Sequence, residues 1–272
     1  MRTFVIADAH GHPEVIRAAL DHGCFEPGRD RFVFGGDFLD RGSDAQGCLD
    51  LIERFATEVI IGNHDLAVLL GRFIWPQEID SPRFRPLLVE RVLHRDPPEA
   101  WKAVTAVDGV LVSHAGVSAR YERAFRETCN GEPTLFAERM NEDFREAVRR
   151  QLDDPVDDPG AGMAGPADWE ADPAYDWDRD ATARAILGDY GPFWFRPPPF
   201  THARPLGGVV QIAGHSPAVP ELAKEGFYMI DPVVWVAEAG EPLRFRYAVV
   251  EDGAVAVHEG DVPILAGGEH LA

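Results

Sequence analysis

Five short apolar runs in this chain each stop at a turn built from glycine, acid, asparagine or histidine, and that recurrence restricts the fold more than any other feature. The central run is Phe32-Val33-Phe34, which gives way to Gly35-Gly36-Asp37-Phe38-Leu39-Asp40-Arg41-Gly42. A run so short, bounded by a turn signal, reads as a buried strand, and the two glycines let the backbone turn sharply close to a ligand. Thr3–Ala7 ends likewise in Asp8-Ala9-His10-Gly11, and Glu58–Ile61 in Gly62-Asn63-His64-Asp65. Gly109–Ser113 ends in His114-Ala115-Gly116, and Val209–Ala213 in Gly214-His215-Ser216. Alone, the turn at Asp37 reads equally well as a surface turn with a local Asp–Arg ion pair. Four companions of similar make-up favour a shared site.

Between these runs the spacing is helical. Pro13 suits the first turn of a helix that Val15, Ile16, Ala19 and Leu20 continue, and Asp44 to Phe55 puts Leu49, Ile52 and Phe55 on one side. Leu66–Leu70 resumes as helix. Strand, turn and helix in alternation predict an α/β fold that begins with a βαβαβ unit and a mainly parallel sheet. Its polar turns would lie at the carboxyl ends of the strands, where such sheets bind ligands. Residues 83–103 have a helical pattern interrupted by Pro97-Pro98, and 118–128 and 135–151 read as amphipathic helices. Phe227–Ile230, Val233–Val236, Leu243–Val250 and Ala254–His258 read as antiparallel strands.

Residues 153–180 are rich in acids, Pro and Gly, with Arg179 as the only basic residue, and read as an exposed insertion in a single domain spanning 1–272. Within it, Gly160 to Gly165 spells G-x-G-x-x-G, but no strand precedes it and Pro166 follows, which excludes a dinucleotide site. With a net charge of −20, the chain has no broad basic footprint for nucleic acid or an anionic membrane. Cys24, Cys48 and Cys129 form no close pair, which argues against a disulfide framework and a thiolate zinc site. Phe4-Val5-Ile6-Ala7 runs straight into Asp8, unlike a signal peptide, and no apolar stretch reaches the roughly 18 residues of a membrane span. A cytoplasmic protein is the expectation.

The polar residues at the run ends are Asp8, His10, Asp37, Asn63, His114 and His215. Imidazole combined with carboxylate or amide oxygen suits manganese, iron or zinc. Six donors are too many for one open catalytic ion and enough for two ions sharing a bridge. The bridge must be a carboxylate with two usable oxygens, and Asp37 is central in the set.

These five turns, in this order, resemble the motifs of the phosphoprotein phosphatase branch of the calcineurin-like metallophosphoesterases, over roughly residues 3–260. The resemblance implies a four-layer αββα sandwich of two mixed β-sheets flanked by helices. It implies one metal on Asp8, His10 and the bridging Asp37, and another on Asp37, Asn63, His114 and His215. A hydroxide between the two ions, manganese first among the choices, would be the nucleophile. His64 would protonate the leaving oxygen with Asp40 orienting it, and Arg41 would clamp the phosphoryl oxygens. A second phosphate-binding arginine follows an aromatic motif in that branch, and Trp194-Phe195-Arg196 resembles it. The implied activity is phosphomonoester hydrolysis of the serine/threonine protein phosphatase type, on a phosphoprotein or a small phosphoester. Asn63-His64-Asp65-Leu66 departs toward symmetrical diadenosine tetraphosphate hydrolases, which makes dinucleoside polyphosphate cleavage the alternative. A non-catalytic metal-binding regulator is a third, disfavoured because no member of the motif set is missing. Asp65 is expected to support its neighbours or the start of a helix rather than to bind metal.

Overall fold

A computed structural model describes residues 1–96, 99–153, 186–234 and 242–262. Its layering follows from side-chain alternation. In β1 (Thr3–Ile6), Phe4 and Ile6 enter one apolar cluster with residues of α1 (Pro13–His22) and α2 (Ala45–Phe55). Val5 and the following Ala7 enter another, as period-two geometry requires. In β2 (Arg31–Phe34), Phe32 and Phe34 face the helices and Val33 the other side. The second cluster is the seam between two sheets, where Val5 and Val33 meet Val110 and Val112 of β5 (Val110–Ser113) and Ile212 of β6 (Gln211–Ala213). Each fully buried Phe or Val stabilises by roughly 1.5–3 kcal/mol, so both faces of these strands are committed.

The first sheet runs β3 (Glu58–Val59), β2, β1, β8 (Arg244–Glu251), β9 (Ala254–Asp261), its first three strands parallel and the last two antiparallel. The second runs β4 (Val104–Val107), β5, β6, β7 (Phe227–Met229), with β5, β6 and β7 parallel and β4 antiparallel. Helix α5 (Pro133–Asp153) packs on β4 and β5, and its Asn141 side chain bonds the Ala103 and Val104 backbone. Two mixed sheets flanked by helices form the expected αββα sandwich.

Several local readings differ. The helical pattern over 83–103 is a helix only as far as α4 (Arg85–Leu93), and β4, which follows at Val104, joins β5 through a two-residue hairpin at Asp108 and Gly109, both at positive φ. Residues 118–128 hold a short 3₁₀ turn and a π-helical turn instead of one amphipathic helix. β7 pairs parallel with β6, not antiparallel, and residues 233–234 are not strand. Beyond Asp153, the acidic insertion lies outside the described residues. No helix among the described residues is long and apolar enough to cross a membrane.

One consequence matters for function. The parallel strands β1, β2 and β3 all end at one edge, as do β5, β6 and β7, and the two edges are cross-linked. His215 N–H donates to both carboxylate oxygens of Asp8 at 3.1 Å, and His114 Nδ1 lies 3.0 Å from Gly35 O.

Candidate metal centre

Three residues separate the end of β3 from helix α3 (Asn63–Leu70), so Asn63 and His64 stand on the helix's first turn rather than on a free loop. The His64 N–H donates to Asp37 Oδ1 at 2.9 Å, as expected for a carboxylate at a helix N-terminus. That fixes Asp37 with its other oxygen inward: Oδ2 lies 3.5 Å from His10 Nε2 and 3.4 Å from His114 Nε2. Asp65 holds the same turn from behind. Its Oδ2 accepts from Asp37 N–H at 2.8 Å and Gly62 N–H at 3.0 Å, which makes it the supporting, helix-capping acid expected. Burial, with the charge of Asp37, pushes the Asp65 carboxyl up to about 8 against the pull of those N–H groups.

Backbone carbonyls set the histidine tautomers. His10 Nδ1 donates to Leu39 O at 2.9 Å and His114 Nδ1 to Gly35 O at 3.0 Å. Burial lowers both imidazoles, His10 to about 3, and also His215, so all three are neutral near pH 7. A neutral ring that donates from Nδ1 has only a lone pair at Nε2. The His10 lone pair therefore faces Asp37 Oδ2, with Asp8 Oδ1 4.0 Å away. The His114 lone pair faces Asn63 Oδ1 at 2.8 Å, and His215 Nδ1 lies 3.0 Å from that same oxygen.

Electron-rich atoms thus converge at two points that share Asp37 Oδ2, and cations are what such points attract. The ligand atoms of His10, Asp37 and His64 lie within 4.8 Å of one another, as do those of Asp8, Asp37 and His114. At the first point, Arg41 brings positive charge: one guanidinium nitrogen lies 2.7 Å from His10 Nε2 and another 3.1 Å from His64 Nε2. The donor set fits divalent ions of the nitrogen- and oxygen-binding kind, without thiolate.

The site is built under strain. Asp8, His10, Asp37, Asp40, Arg41 and His215 all have positive φ, between 45° and 68°, and none is glycine. Left-handed conformations cost such residues roughly 1–2 kcal/mol each, and their clustering here is typical of sites whose geometry the surroundings enforce. Glycine provides the remaining room. A Cβ on Gly62 would overlap Asp37 Oδ1 and the Asp37 amide nitrogen, and one on Gly214 would overlap Asp8 Oδ2. Gly62→Ala should therefore displace Asp37, costing about 1–3 kcal/mol in thermal unfolding and weakening cation uptake in a calorimetric titration.

Of the residues singled out in the sequence, Asp8, His10, Asp37, Asp40, Arg41, Asn63, His64, His114 and His215 join this one network. His64 Nδ1 donates to Asp40 Oδ2 at 2.6 Å. Arg196 stands at the rim, donating to Ser216 Oγ at 3.1 Å, within electrostatic reach of Asp231, Arg41, Asp8 and Asp37. Three participants escaped the sequence reading. The Ser81 hydroxyl and the Glu78 N–H both bond Asp40 Oδ1, and no local signal marks either. Asp231 does have a signal: it ends the apolar run Phe227–Ile230 just as the other acids end theirs.

A family model described as calcineurin-like phosphoesterase matches residues 1–218. The chain belongs to the calcineurin-like phosphoesterase family. Among similar proteins, the chain is 26% identical over 173 residues to a symmetrical bis(5'-nucleosyl)-tetraphosphatase from Actinobacillus succinogenes, covering 56% of the chain and 57% of that protein. It is 35% identical over 69 residues to serine/threonine-protein phosphatase 1 of Salmonella typhimurium, covering 25% of the chain and 32% of that protein. The chain spans about half the length of the first curated relatives it matches. A solved serine/threonine phosphatase from Saccharomyces cerevisiae shares the fold at 14% identity and a TM-score of 0.50, covering 100% of this chain and 81% of that one.

Proposed function

We propose that the protein hydrolyses phosphoesters at a two-cation centre, with Asp8, His10 and Asp37 holding one ion and Asp37, Asn63, His114 and His215 the other. The observation that carries this is the pair of lone-pair clusters sharing Asp37 Oδ2. Two divalent ions there, manganese first, would lower the pKa of bound water and offset charge on the phosphoryl group. The rest falls to side chains. Arg41 offers a planar fork to phosphoryl oxygens. His64 gives Nδ1–H to Asp40, so in its imidazolium form, with both nitrogens protonated, Nε2 would be the atom that passes a proton to a leaving oxygen and is left with a lone pair. Asp40 is itself held by Ser81 and the Glu78 N–H, which fixes the imidazole plane. Arg196, near enough to Arg41 and Asp37 to sense their charge, would take a further phosphate oxygen.

Two substrate classes follow from two observations. Asp40-Arg41-Gly42 and Gly214-His215-Ser216 support phosphomonoesters of the phosphoserine or phosphothreonine kind. Asn63-His64-Asp65, together with relatives named as symmetrical bis(5'-nucleosyl)-tetraphosphatases, supports dinucleoside polyphosphates. Protein stripped with a chelator should be inactive and recover with manganese. Turnover of a phosphopeptide and of diadenosine tetraphosphate by one manganese-loaded preparation separates the two classes. No turnover of either, or of a nitrophenyl phosphate, would count against an enzyme altogether.

A further inference from the structure

Asp231 ends a sixth apolar run, and none of the roles above uses it. Strand β7 lies beside β6 with Met229 opposite Ala213, and Ile230 N–H donates to Ala213 O at 2.7 Å. Carried on, this register sets Ile230 alongside Gly214, whose missing Cβ leaves room for the Asp8 carboxylate, and Asp231 alongside His215, whose N–H donates to both Asp8 carboxylate oxygens at 3.1 Å. Asp231 is 4% exposed. Its Oδ1 accepts from Val233 N–H at 2.6 Å, and Oδ2 makes no hydrogen bond among the described residues. The turn that supplies this N–H puts Val233 at φ 57°, where a β-branched residue is a rarity.

The electrostatics agree with that placement. After burial itself, the charge of Asp231 raises the Asp8 carboxyl more than the charge of Asp37 does. Asp231 also senses Arg41, Asp37 and Arg196. A third buried carboxylate therefore stands on the Asp8 side of the cluster, and groups so placed repel one another and jointly favour a cation.

We propose that Asp231 is a positioning residue of the metal centre, a carboxylate that supports the cation held by Asp8, His10 and Asp37 and sets how tightly it binds. This assignment rests on the two-cation reading. The two positions are unequal: the Asp8 side has three protein donors, and the other side has four. A buried negative charge beside the poorer position raises its affinity without adding a direct ligand, and outer partners of this kind commonly change metal affinity by about 10- to 100-fold.

Asp231→Asn keeps the shape and removes the charge. Chelator-stripped wild-type and variant protein would be titrated with manganese in a calorimeter, and the bound metal counted by elemental analysis. The wild type should take up two ions. In the variant, one step should weaken by about 10-fold or more while the other stays within about 2-fold, with an unchanged circular dichroism spectrum. Asp231→Glu, which retains the charge, should lie closer to the wild type than the asparagine variant does, and it serves as the second reading should the latter fold poorly. Two unchanged steps in Asp231→Asn would overturn the assignment. So would a higher KM with both steps intact, which would make Asp231 a partner of Arg41 and Arg196 instead. Equal losses in both variants would overturn it as well. A wild type that takes up fewer than two ions would overturn the two-cation reading, and this assignment with it.

Discussion

Asp37→Asn should abolish metal-dependent turnover, by about 10³-fold or more, and reduce the bound metal below two ions per chain while leaving the fold intact. The size of the effect follows from geometry. Oδ2 lies close to both inward imidazole nitrogens, 3.5 Å from His10 and 3.4 Å from His114. An amide can present its oxygen to one side, but it has no charge and puts an N–H₂ group where an acceptor is needed. The helix-start bond from His64 N–H favours keeping the amide oxygen at Oδ1, which turns the nitrogen toward both imidazoles. Both cation positions should therefore suffer together. His114→Ala, by contrast, removes a donor from one position only, so it should lose one ion first. Elemental analysis of the two variants beside the wild type distinguishes a shared ligand from a private one. Two ions and normal turnover in Asp37→Asn would remove the bridge from the scheme.

How far the sequence revealed this arrangement depends on the kind of signal. Phe4, Val5, Ile6 and Ala7 are apolar on both sides, and only a strand covered on both faces needs that, so two packed layers were legible. The strand-end turns were legible too, since glycines beside acids and histidines have few structural uses. Pairing direction was not. Phe227–Met229 has no residue that says whether its neighbour runs with it or against it, and β7 proved parallel to β6. The hairpin at Asp108-Gly109 did carry a signal, a two-residue turn typical of antiparallel neighbours, but the short run Val104–Val107 before it was not read as a strand. Contacts made by a hydroxyl or a backbone N–H across long separations, as Ser81 and Glu78 make to Asp40, leave no trace in local pattern. Asp231 lies between these cases: its position after an apolar run matched the rule, but that run was read as one of a set of antiparallel strands apart from the others.

His64→Asn should divide substrates by their leaving groups. General acid catalysis contributes about 10²–10⁴-fold when the departing oxygen is basic, and little when it is a stable phenolate. An alkyl phosphate or a phosphoserine peptide should therefore lose about 10²–10⁴-fold in kcat, while a nitrophenyl ester should stay within about 10-fold. Asn lacks a proton of suitable acidity but is of similar bulk, so the bond to Asp40 can survive in part. The structure also offers a competing role, because the ligand atoms of His10, Asp37 and His64 lie within 4.8 Å of one another. If His64 served as a ligand, the substitution would reduce metal content and depress all substrates alike. As a proton donor, it would leave two ions bound and steepen the dependence of rate on leaving-group pKa. Asp40→Asn gives the corroborating case. Its loss should be smaller than that of His64→Asn but follow the same leaving-group order, since Asp40 touches the reaction only through the imidazole that it holds at 2.6 Å.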